Sequence, residues 1–249
     1  MNRVLGKGFA VVAVGVLATA FTPACAENDQ SIFINSALFP SQNRQNGCVY
    51  TDDPTQTALF QGKVDAAIRD NYTSVLLVGS QLISRGDDAN ARAESNRVHL
   101  NGVVVRVTDP NGGLIGEFTS LGTGFINPQL NNVPSFSSMQ VVTIDAPTLA
   151  KIAAGLERGR TKLVVANIKV FGKTVGGVDL ESSEFQFPIE VCNGCLVSFA
   201  TGDDPAVAGL DCSLPIDANA GQAAVPCEIG QDETTPCQLC QDRPICRTP

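Results

Sequence analysis

The cysteines are distributed so unevenly that they divide the chain. Seven of the nine lie between Cys192 and Cys246, and the residues before them hold only Cys25 and Cys48. The segment 192–249 also contains scattered prolines and a run of small residues at 217–224, which interrupt any apolar periodicity. Such a segment buries too little apolar surface to order itself, and covalent crosslinks are the usual substitute. We therefore predict an irregular, cysteine-rich tail over residues 192–249, held by disulfide bonds.

The number of cysteines limits how the disulfides are arranged. Cys25 lies at the end of a hydrophobic leader and leaves the count. The other eight are Cys48, Cys192, Cys195, Cys212, Cys227, Cys237, Cys240 and Cys246. Seven of these lie in the tail, so full oxidation requires Cys48 to bond to a tail cysteine. Any such bond closes a loop of more than about 140 residues, because Cys192 is the nearest tail cysteine. Closing a loop of this length stabilises the fold by roughly 4–5 kcal/mol in the chain-entropy account. Eight cysteines allow roughly a hundred connectivities, and the sequence does not select one.

Residues 1–24 have the pattern of a secretory signal peptide. Arg3 and Lys7 form a short positive region, and residues 9–21 are uncharged and mostly apolar. This order of a basic region, an apolar region and small residues is typical of export signals. The apolar run is shorter than the roughly 20 residues that a membrane-spanning helix needs. The sequence therefore predicts export to an oxidising, extracytoplasmic compartment, with no spanning segment in the mature chain.

The residues that end the leader, Thr22-Pro23-Ala24-Cys25, resemble a bacterial lipobox, although Thr22 stands where lipoboxes favour Leu. The resemblance implies that Cys25 is lipidated and becomes the first residue of the mature protein. Several acyl chains on one residue would hold a soluble domain firmly to a membrane. The alternative is ordinary cleavage after Ala26, at a small-x-small site. The expected location is the cell envelope, at the outer membrane or the surface, where the protein faces an oxidising extracytoplasmic compartment and the membrane is a partner.

Polar composition and charge add two expectations. Residues 25–57 are rich in Asn, Gln, Asp and Ser, which predicts a tether between the lipid and the domain. The full chain has a formal net charge of −8 and contains no basic run. Because neutralisation of phosphates drives nucleic-acid binding, this charge argues against nucleic acid as a partner.

Residues 58–191 contain short apolar and alternating runs separated by turns, which is typical of β-strands. A phase change at Asn101-Gly102 indicates a bulge. The run 161–173 is apolar-rich on both faces, which favours a central strand. Pro147 begins the single helical pattern, at 147–157. We predict an all-β fold, an immunoglobulin-like β-sandwich with one short helix over residues 58–191. Its strands are expected at 72–83, 98–108, 114–120, 139–144, 161–173 and 178–191.

Two resemblances bear on this arrangement. Residues 58–191 resemble immunoglobulin-like sandwiches of the LEA14 type, in their long alternating strands and their short helix before the penultimate strand. The whole layout resembles secreted cysteine-tailed lipoproteins of myxobacteria. The segments that carry this resemblance are 187–195, which ends in Cys-Asn-Gly-Cys, and 226–240, which contains Gly-Gln-Asp and ends in Cys-Gln-Leu-Cys. The second resemblance implies an envelope location and this architecture, and it implies no activity.

The two CxxC units admit other chemistry. Cys192, Cys195, Cys237 and Cys240 would offer four thiolates to a zinc ion. However, the 41 residues between the units exceed the usual zinc-ribbon spacing, and three further tail cysteines would be left over. A thioredoxin-type redox pair needs its CxxC at the start of a helix, whereas Cys192 follows a β-type run. Structural disulfides are the preferred interpretation, and no metal is expected.

Other candidate residues do not form a recognisable catalytic motif. His99, the single histidine, lies within a strand pattern and is expected at the surface. The acidic pairs at 52–53, 87–88 and 203–204 lack the spacing of a calcium loop and are expected in solvated turns. We therefore expect no catalytic residue and no cofactor. The sequence favours a non-catalytic envelope protein that binds or scaffolds an envelope protein partner. The alternative is an extracytoplasmic enzyme with a carboxylate-based site that the sequence does not reveal.

Overall fold

The computed structural model describes residues 31–41, 47–86, 93–201, 210–212 and 225–247. These residues form two larger β-sheets, one α-helix and short strands in the tail. The elements are β1 (Ile32–Leu38), β2 (Ala58–Leu59), β3 (Gly62–Asp65), β4 (Tyr72–Ser80), β5 (Val98–Thr108), β6 (Leu114–Ile126), β7 (Ser135–Ile144), α1 (Ala146–Ala153), β8 (Thr161–Thr174), β9 (Asp179–Glu181), β10 (Phe185–Cys192), β11 (Val197–Ser198), β12 (Ala200–Thr201), β13 (Leu210–Asp211) and β14 (Thr235–Pro236). Single 3₁₀ turns lie at Cys237–Leu239 and Pro244–Cys246.

The two larger sheets pack face to face. One sheet has the strand order β2-β1-β4-β7, and the other has the order β3-β10-β8-β5-β6, with β9 beside β8. Neighbouring strands in these sheets are antiparallel, except that β3 runs parallel to β10. The structure confirms the predicted β-sandwich with one helix, followed by a disulfide-bonded tail.

The core lies between the sheets and is formed by alternate positions of the strands. Each fully buried aliphatic side chain contributes roughly 1.5–3 kcal/mol relative to an exposed one. On the six-stranded side the inward residues include Val103, Val105, Val107, Val164, Ala166, Ile168, Val170, Phe187, Ile189 and Val191, and on the four-stranded side they include Ile32, Leu76, Val78, Met139 and Val141. Leu149 and Ile152 of α1 join the same cluster. The Asp145 carboxylate caps the helix by accepting a hydrogen bond from the Thr148 N–H at 3.1 Å.

Two local predictions within the sandwich are confirmed. The register of β5 against both neighbouring strands shifts between Leu100 and Gly102, as expected for a bulge. Gly102 has a φ of 155°, and a Cβ at this position would collide with the carbonyl oxygen of Ser120. The bulge therefore requires glycine. The predicted central strand, β8, lies between β10 and β5.

The tether predicted for residues 25–57 is wrong for Ile32–Leu38. These residues form β1, which pairs with β4 and places Ile32, Ala37 and Leu38 in buried positions. The polar residues Asn35 and Ser36 interrupt the apolar pattern, and the register shifts between Ile34 and Ser36. A strand with such a bulge lacks the strict alternation that reveals strands in a sequence. The sandwich therefore begins before residue 58.

Several predicted elements have different bounds. β4 ends at Ser80 and not at residue 83, β6 extends beyond residue 120 to Ile126, and β7 begins at Ser135 and not at residue 139. The helix ends at Ala153 and not at residue 157, because Gly155 has a φ of 76° and turns the chain away. The run predicted as one strand at 178–191 forms β9 and β10, which are separated by residues 182–184. The Ser182 side chain is fully buried, and its hydroxyl accepts a hydrogen bond from the Val170 N–H at 2.9 Å. The hydroxyl thus takes a place in the ladder that a strand carbonyl would occupy.

The sandwich has two ends of different character. At the N-terminal end, β1 begins opposite the last residue of β4, and β5 begins opposite the last residues of β6 and β8. The loops at 81–86, 93–97, 127–134 and 175–178 therefore lie at this end. At the other end, the tail end, β10 finishes, β4 begins, and the chain continues into the tail. No helix in the described residues is both long enough and apolar enough to cross a membrane.

Candidate functional site

Four disulfide bonds link the described cysteines. They join Cys48 to Cys227, Cys192 to Cys195, Cys212 to Cys237, and Cys240 to Cys246. The expected disulfide bonds are present, and their connectivity, which the sequence left open, is now defined. The first bond spans 179 positions and ties the segment before β2 to the tail.

The two CxxC units are used differently. Cys192 and Cys195 bond to each other across a separation of three residues. Cys237 and Cys240 each bond to a cysteine outside their unit. The four thiolates considered for a zinc site are therefore not brought together as one set of ligands.

Asp65, the last residue of β3, lies beneath the Cys192–Cys195 loop and is fully buried. Its Oδ1 accepts hydrogen bonds from the N–H groups of Ala67 at 3.1 Å and Gly194 at 2.8 Å. Its Oδ2 accepts one from the N–H of Leu196 at 3.0 Å. A carboxylate oxygen and the two sulfurs lie within 4.8 Å of one another, but the sulfurs are bonded to each other. With the Cys192–Cys195 bond formed, the Asp65 carboxylate acts as a hydrogen-bond acceptor that holds the loop after β10 in place.

Asp232 joins the tail to the sandwich. The Tyr72 hydroxyl lies 3.0 Å from both of its carboxylate oxygens. Oδ1 also accepts from the Lys63 N–H at 2.8 Å, and the Asp232 N–H donates to the Lys63 carbonyl at 2.8 Å. Burial raises the pKa of Asp232 from 3.8 to about 6, although these hydrogen bonds act to lower it. Burial and the Asp232 charge also raise the pKa of Tyr72 well above its usual value.

Gln231 forms a second contact between the tail and the sandwich, and this contact resembles strand pairing. Its Oε1 accepts from the Thr73 N–H at 3.0 Å, and its Nε2 donates to the Thr73 carbonyl at 2.7 Å. The side-chain amide thereby satisfies both backbone groups of one β4 residue, as a paired strand would. The backbone of Gln231 forms a bridge with Val64 of β3. The segment Gly230-Gln231-Asp232 is thus built into the open corner between β3 and β4.

The rest of the described tail packs around its own sulfurs. Cys237, Cys240 and Cys246 are buried with Ile68 in a small second cluster. Val197, Phe199 and Ile245 cover this cluster in part. Strands β11 and β14 pair in parallel beside it. The tail therefore has an apolar centre, although it is too small to stand without its crosslinks.

Arg69 lines two clefts at the tail end of the sandwich. The larger, of about 450 Å³, lies between Arg69 and the tail residues Glu228, Asp242 and Arg243. The smaller, of about 300 Å³, lies between Arg69 and α1. The Arg69 guanidinium forms an ion pair with Glu228, which lines the larger cleft. Charged groups of both signs line the larger cleft, which suits a polar protein surface better than an apolar ligand.

The remaining candidates from the sequence lie elsewhere. His99 is exposed on β5, as expected, and its ring stacks on Phe125 with centroids 4.6 Å apart. In the pair at 52–53, Asp52 accepts a hydrogen bond from the Ser138 N–H, and Asp53 accepts from Thr55. Cys25 and the acidic pairs at 87–88 and 203–204 lie outside the described residues.

An enzyme of the alternative kind would need two carboxyl groups with raised pKa values in one cleft. Asp232 is one described carboxyl group whose pKa is raised. It does not line either cleft at the tail end, and both of its oxygens accept hydrogen bonds within the protein. Its environment therefore fits a structural contact between the tail and the sandwich.

Sequence reasoning did not identify Asp65, Tyr72 or Gln231 as important positions. Their partners lie more than a hundred residues away, from Asp65 to Gly194 and from Tyr72 to Asp232, so no local spacing records these contacts. The Gly230-Gln231-Asp232 triplet lies inside a turn-rich segment, and its polar residues resemble those of a solvated turn. Comparison of the chain with known protein families and with curated proteins finds no match.

Proposed function

We propose that this chain is a non-catalytic, lipid-anchored envelope protein that presents its disulfide-held tail to a protein partner. The observation that carries the proposal is the position of the tail. It is fixed by Asp232 and by the Cys48–Cys227 bond at the end of the sandwich opposite to the one where β1 begins. A lipid on Cys25 would therefore hold one end, and the tail would face away from it.

The construction of the tail supports a binding role. A segment with few apolar residues is held rigid by four disulfides, and rigidity lowers the entropy that a surface loses on binding. The mixed charges around the larger cleft would select a partner by complementarity and not by bulk hydrophobicity. The disulfides also accord with an oxidising compartment outside the cytosol.

The proposal is tested by site-specific photo-crosslinking in the native envelope. A photoreactive residue replaces Asp242 at the rim of the larger cleft, or Asp179 on β9 as the matched control. Both are acidic residues with exposed side chains, at 78% and 84%. We expect a discrete cross-linked product with one envelope protein from position 242 and none from position 179. Absence of a product at 242, or the same products at both positions, would contradict the proposed binding role.

A further inference from the structure

The N-terminal end of the sandwich exposes an unusual number of apolar side chains. Their exposed fractions range from 53% to 71%, whereas apolar residues of the strands beside them are buried. A single exposed apolar residue is ordinary, but a group at one end of a domain marks a contact surface. The residues are Ile83, Phe125, Leu130, Val133, Val175 and Val178.

Hydrogen bonds join the loops that carry these residues. The Asn96 side-chain amide donates to the Ile83 carbonyl at 2.8 Å. The Val175 N–H donates to the Arg97 carbonyl, and the Gln129 N–H donates to the Leu82 carbonyl. The apolar side chains thus lie on loops that are bonded to one another, so the surface needs no rearrangement before it meets a partner.

The loop at 130–133 carries two of these exposed residues on a tight turn. Leu130 and Val133 bond to each other through both backbone groups, at 3.1 and 2.9 Å. Asn131 and Asn132 between them have φ values of 51° and 63°, which close a tight turn. The turn therefore carries two exposed aliphatic side chains at its base and two amides at its tip, a combination suited to the boundary between lipid headgroups and acyl chains.

The chain enters the fold at this same end. The Ser31 carbonyl accepts a hydrogen bond from the Gln81 N–H at 3.0 Å, and Ile32 pairs with Ser80. Cys25 precedes Ser31 by six positions. Six residues span at most about 20 Å even when fully extended. A lipid on Cys25 would therefore keep the N-terminal end of the sandwich within that distance of the bilayer surface.

We propose that the N-terminal end of the sandwich is a membrane-contact surface, which inserts Leu130, Val133 and their apolar neighbours into the bilayer interface. The inference rests on the proposed lipid anchor and adds an orientation to it. The sandwich stands with its strands directed away from the bilayer, and the tail end projects from the membrane. Without this contact, the lipid alone would leave the domain free to rotate.

Tryptophan fluorescence tests the contact, because the chain contains no tryptophan. The variant Leu130→Trp places the single reporter at the N-terminal end. Leu114→Trp is the matched control, since Leu114 is 58% exposed in a hairpin at the opposite end. The lipidated full protein is reconstituted into phosphatidylcholine vesicles with and without brominated acyl chains. We expect brominated lipid to quench Leu130→Trp, with a blue-shifted emission, and to leave Leu114→Trp unchanged. Val133→Trp, which we expect to behave like Leu130→Trp, serves if that variant does not fold.

The outcomes separate this inference from the anchor on which it rests. A purified protein whose mass shows no acyl chains overturns the anchor, and the orientation with it. A lipidated protein whose tryptophan at 130 or 133 is no more quenched than that at 114 overturns the membrane contact alone. A blue shift without quenching, rising with protein concentration, also overturns it and identifies a second copy of the chain as the occupant of this surface.

Discussion

The Tyr72 hydroxyl donates to the Asp232 carboxylate across 160 positions of sequence, with both oxygens 3.0 Å away. Tyr72 begins β4 and is fully buried, whereas Asp232 lies in the cysteine-rich tail. Asp232 has a φ of 57°, a conformation that Asn and Asp tolerate better than other residues do. The contact makes the tail part of the wall of the sandwich and not an appendage beside it.

This contact predicts a pH dependence of stability. The pKa of Asp232 is about 6 in the folded protein and near 3.8 when unperturbed. Between these values the folded protein binds a proton that the unfolded chain has released. The contribution of Asp232 to the free energy of unfolding is therefore greatest below about pH 4. It is lost as pH rises through 6, by on the order of 3 kcal/mol.

The variant Asp232→Asn checks this dependence, because Asn keeps the shape and does not titrate. Urea unfolding followed by circular dichroism at several values between pH 4 and pH 7 gives the free energy of unfolding of both proteins. The variant should gain stability relative to wild type as pH rises over this range. Glu94, whose pKa hydrogen bonds lower to about 2 against the effect of burial, titrates alike in both proteins and cancels. A constant difference across this range would contradict the assignment.

Asp65→Ala should destabilise the protein strongly. The substitution leaves the N–H groups of Ala67, Gly194 and Leu196 without their acceptor. Each unsatisfied buried donor costs about 1–3 kcal/mol, so a loss on the order of 3 kcal/mol is expected. Asp70→Ala is the control, because Asp70 is 75% exposed and its ion pair with Arg243 is weak. Equal unfolding midpoints in urea for the two variants would show that Asp65 does not hold the loop.

The sequence revealed those parts of the fold that depend on local pattern. The buried valines of β5 and the buried face of β8 alternate strictly, and the bulge at Gly102 appears as a change of phase. The sequence did not predict β1 or β3, for two different reasons. Polar residues and a register shift interrupt β1, and β3 has four residues and pairs in parallel with a strand more than a hundred positions later. Short parallel pairings leave no local signature.

The contacts that join the tail to the sandwich could not be predicted from the sequence for a related reason. Asp65, Gln231 and Asp232 act through hydrogen bonds to backbone groups of distant segments. A polar residue that serves such a contact looks the same in sequence as one in a solvated turn. The odd count of tail cysteines did require a long crossing from Cys48, but only the structure identifies Cys227 as its partner. The number of cysteines therefore predicted a bond between Cys48 and the tail, and the structure was needed to identify Cys227 as its partner.

The four disulfides should differ in their contribution to stability. Replacing Cys48 and Cys227 by Ala opens a loop with a sequence separation of 179, whereas replacing Cys192 and Cys195 opens one with a separation of three. In the chain-entropy account the first loss is about 5 kcal/mol and the second about 2 kcal/mol. Urea unfolding of the two double variants measures the difference. An equal or reversed order would show that native packing, and not loop closure, decides the contribution of these bonds.

Reduction should loosen the tail before the sandwich. Cys192 lies at the end of β10, and the other bonded cysteines lie outside the strands of the two larger sheets. Among the described residues, no cysteine belongs to the core between these sheets. Hydrogen exchange after reduction should rise first around residues 237–246, and β5 and β8 should remain protected. Gln231 and Asp232 should be lost later than the rest of the tail, because their bonds to Thr73 and Tyr72 do not involve sulfur. A single cooperative loss of protection in the tail and both sheets would contradict this order.

Cys25→Ala tests the anchor itself. The substitution removes the proposed lipid attachment, and it leaves Ala24-Ala-Ala26 as a small-x-small site that ordinary signal cleavage accepts. We expect wild type in the membrane fraction, with acyl chains on Cys25 by mass spectrometry of the N-terminal peptide. The variant should appear in the soluble envelope fraction or the medium, beginning at Glu27. A control variant, Asp70→Ala, changes an exposed residue and keeps Cys25, so it should stay with the membrane. If wild type itself begins at Glu27, the lipid anchor is refuted. If the variant remains in the membrane fraction after correct cleavage, the lipid is not what holds the protein there, and the contact at the N-terminal end of the sandwich would have to do so.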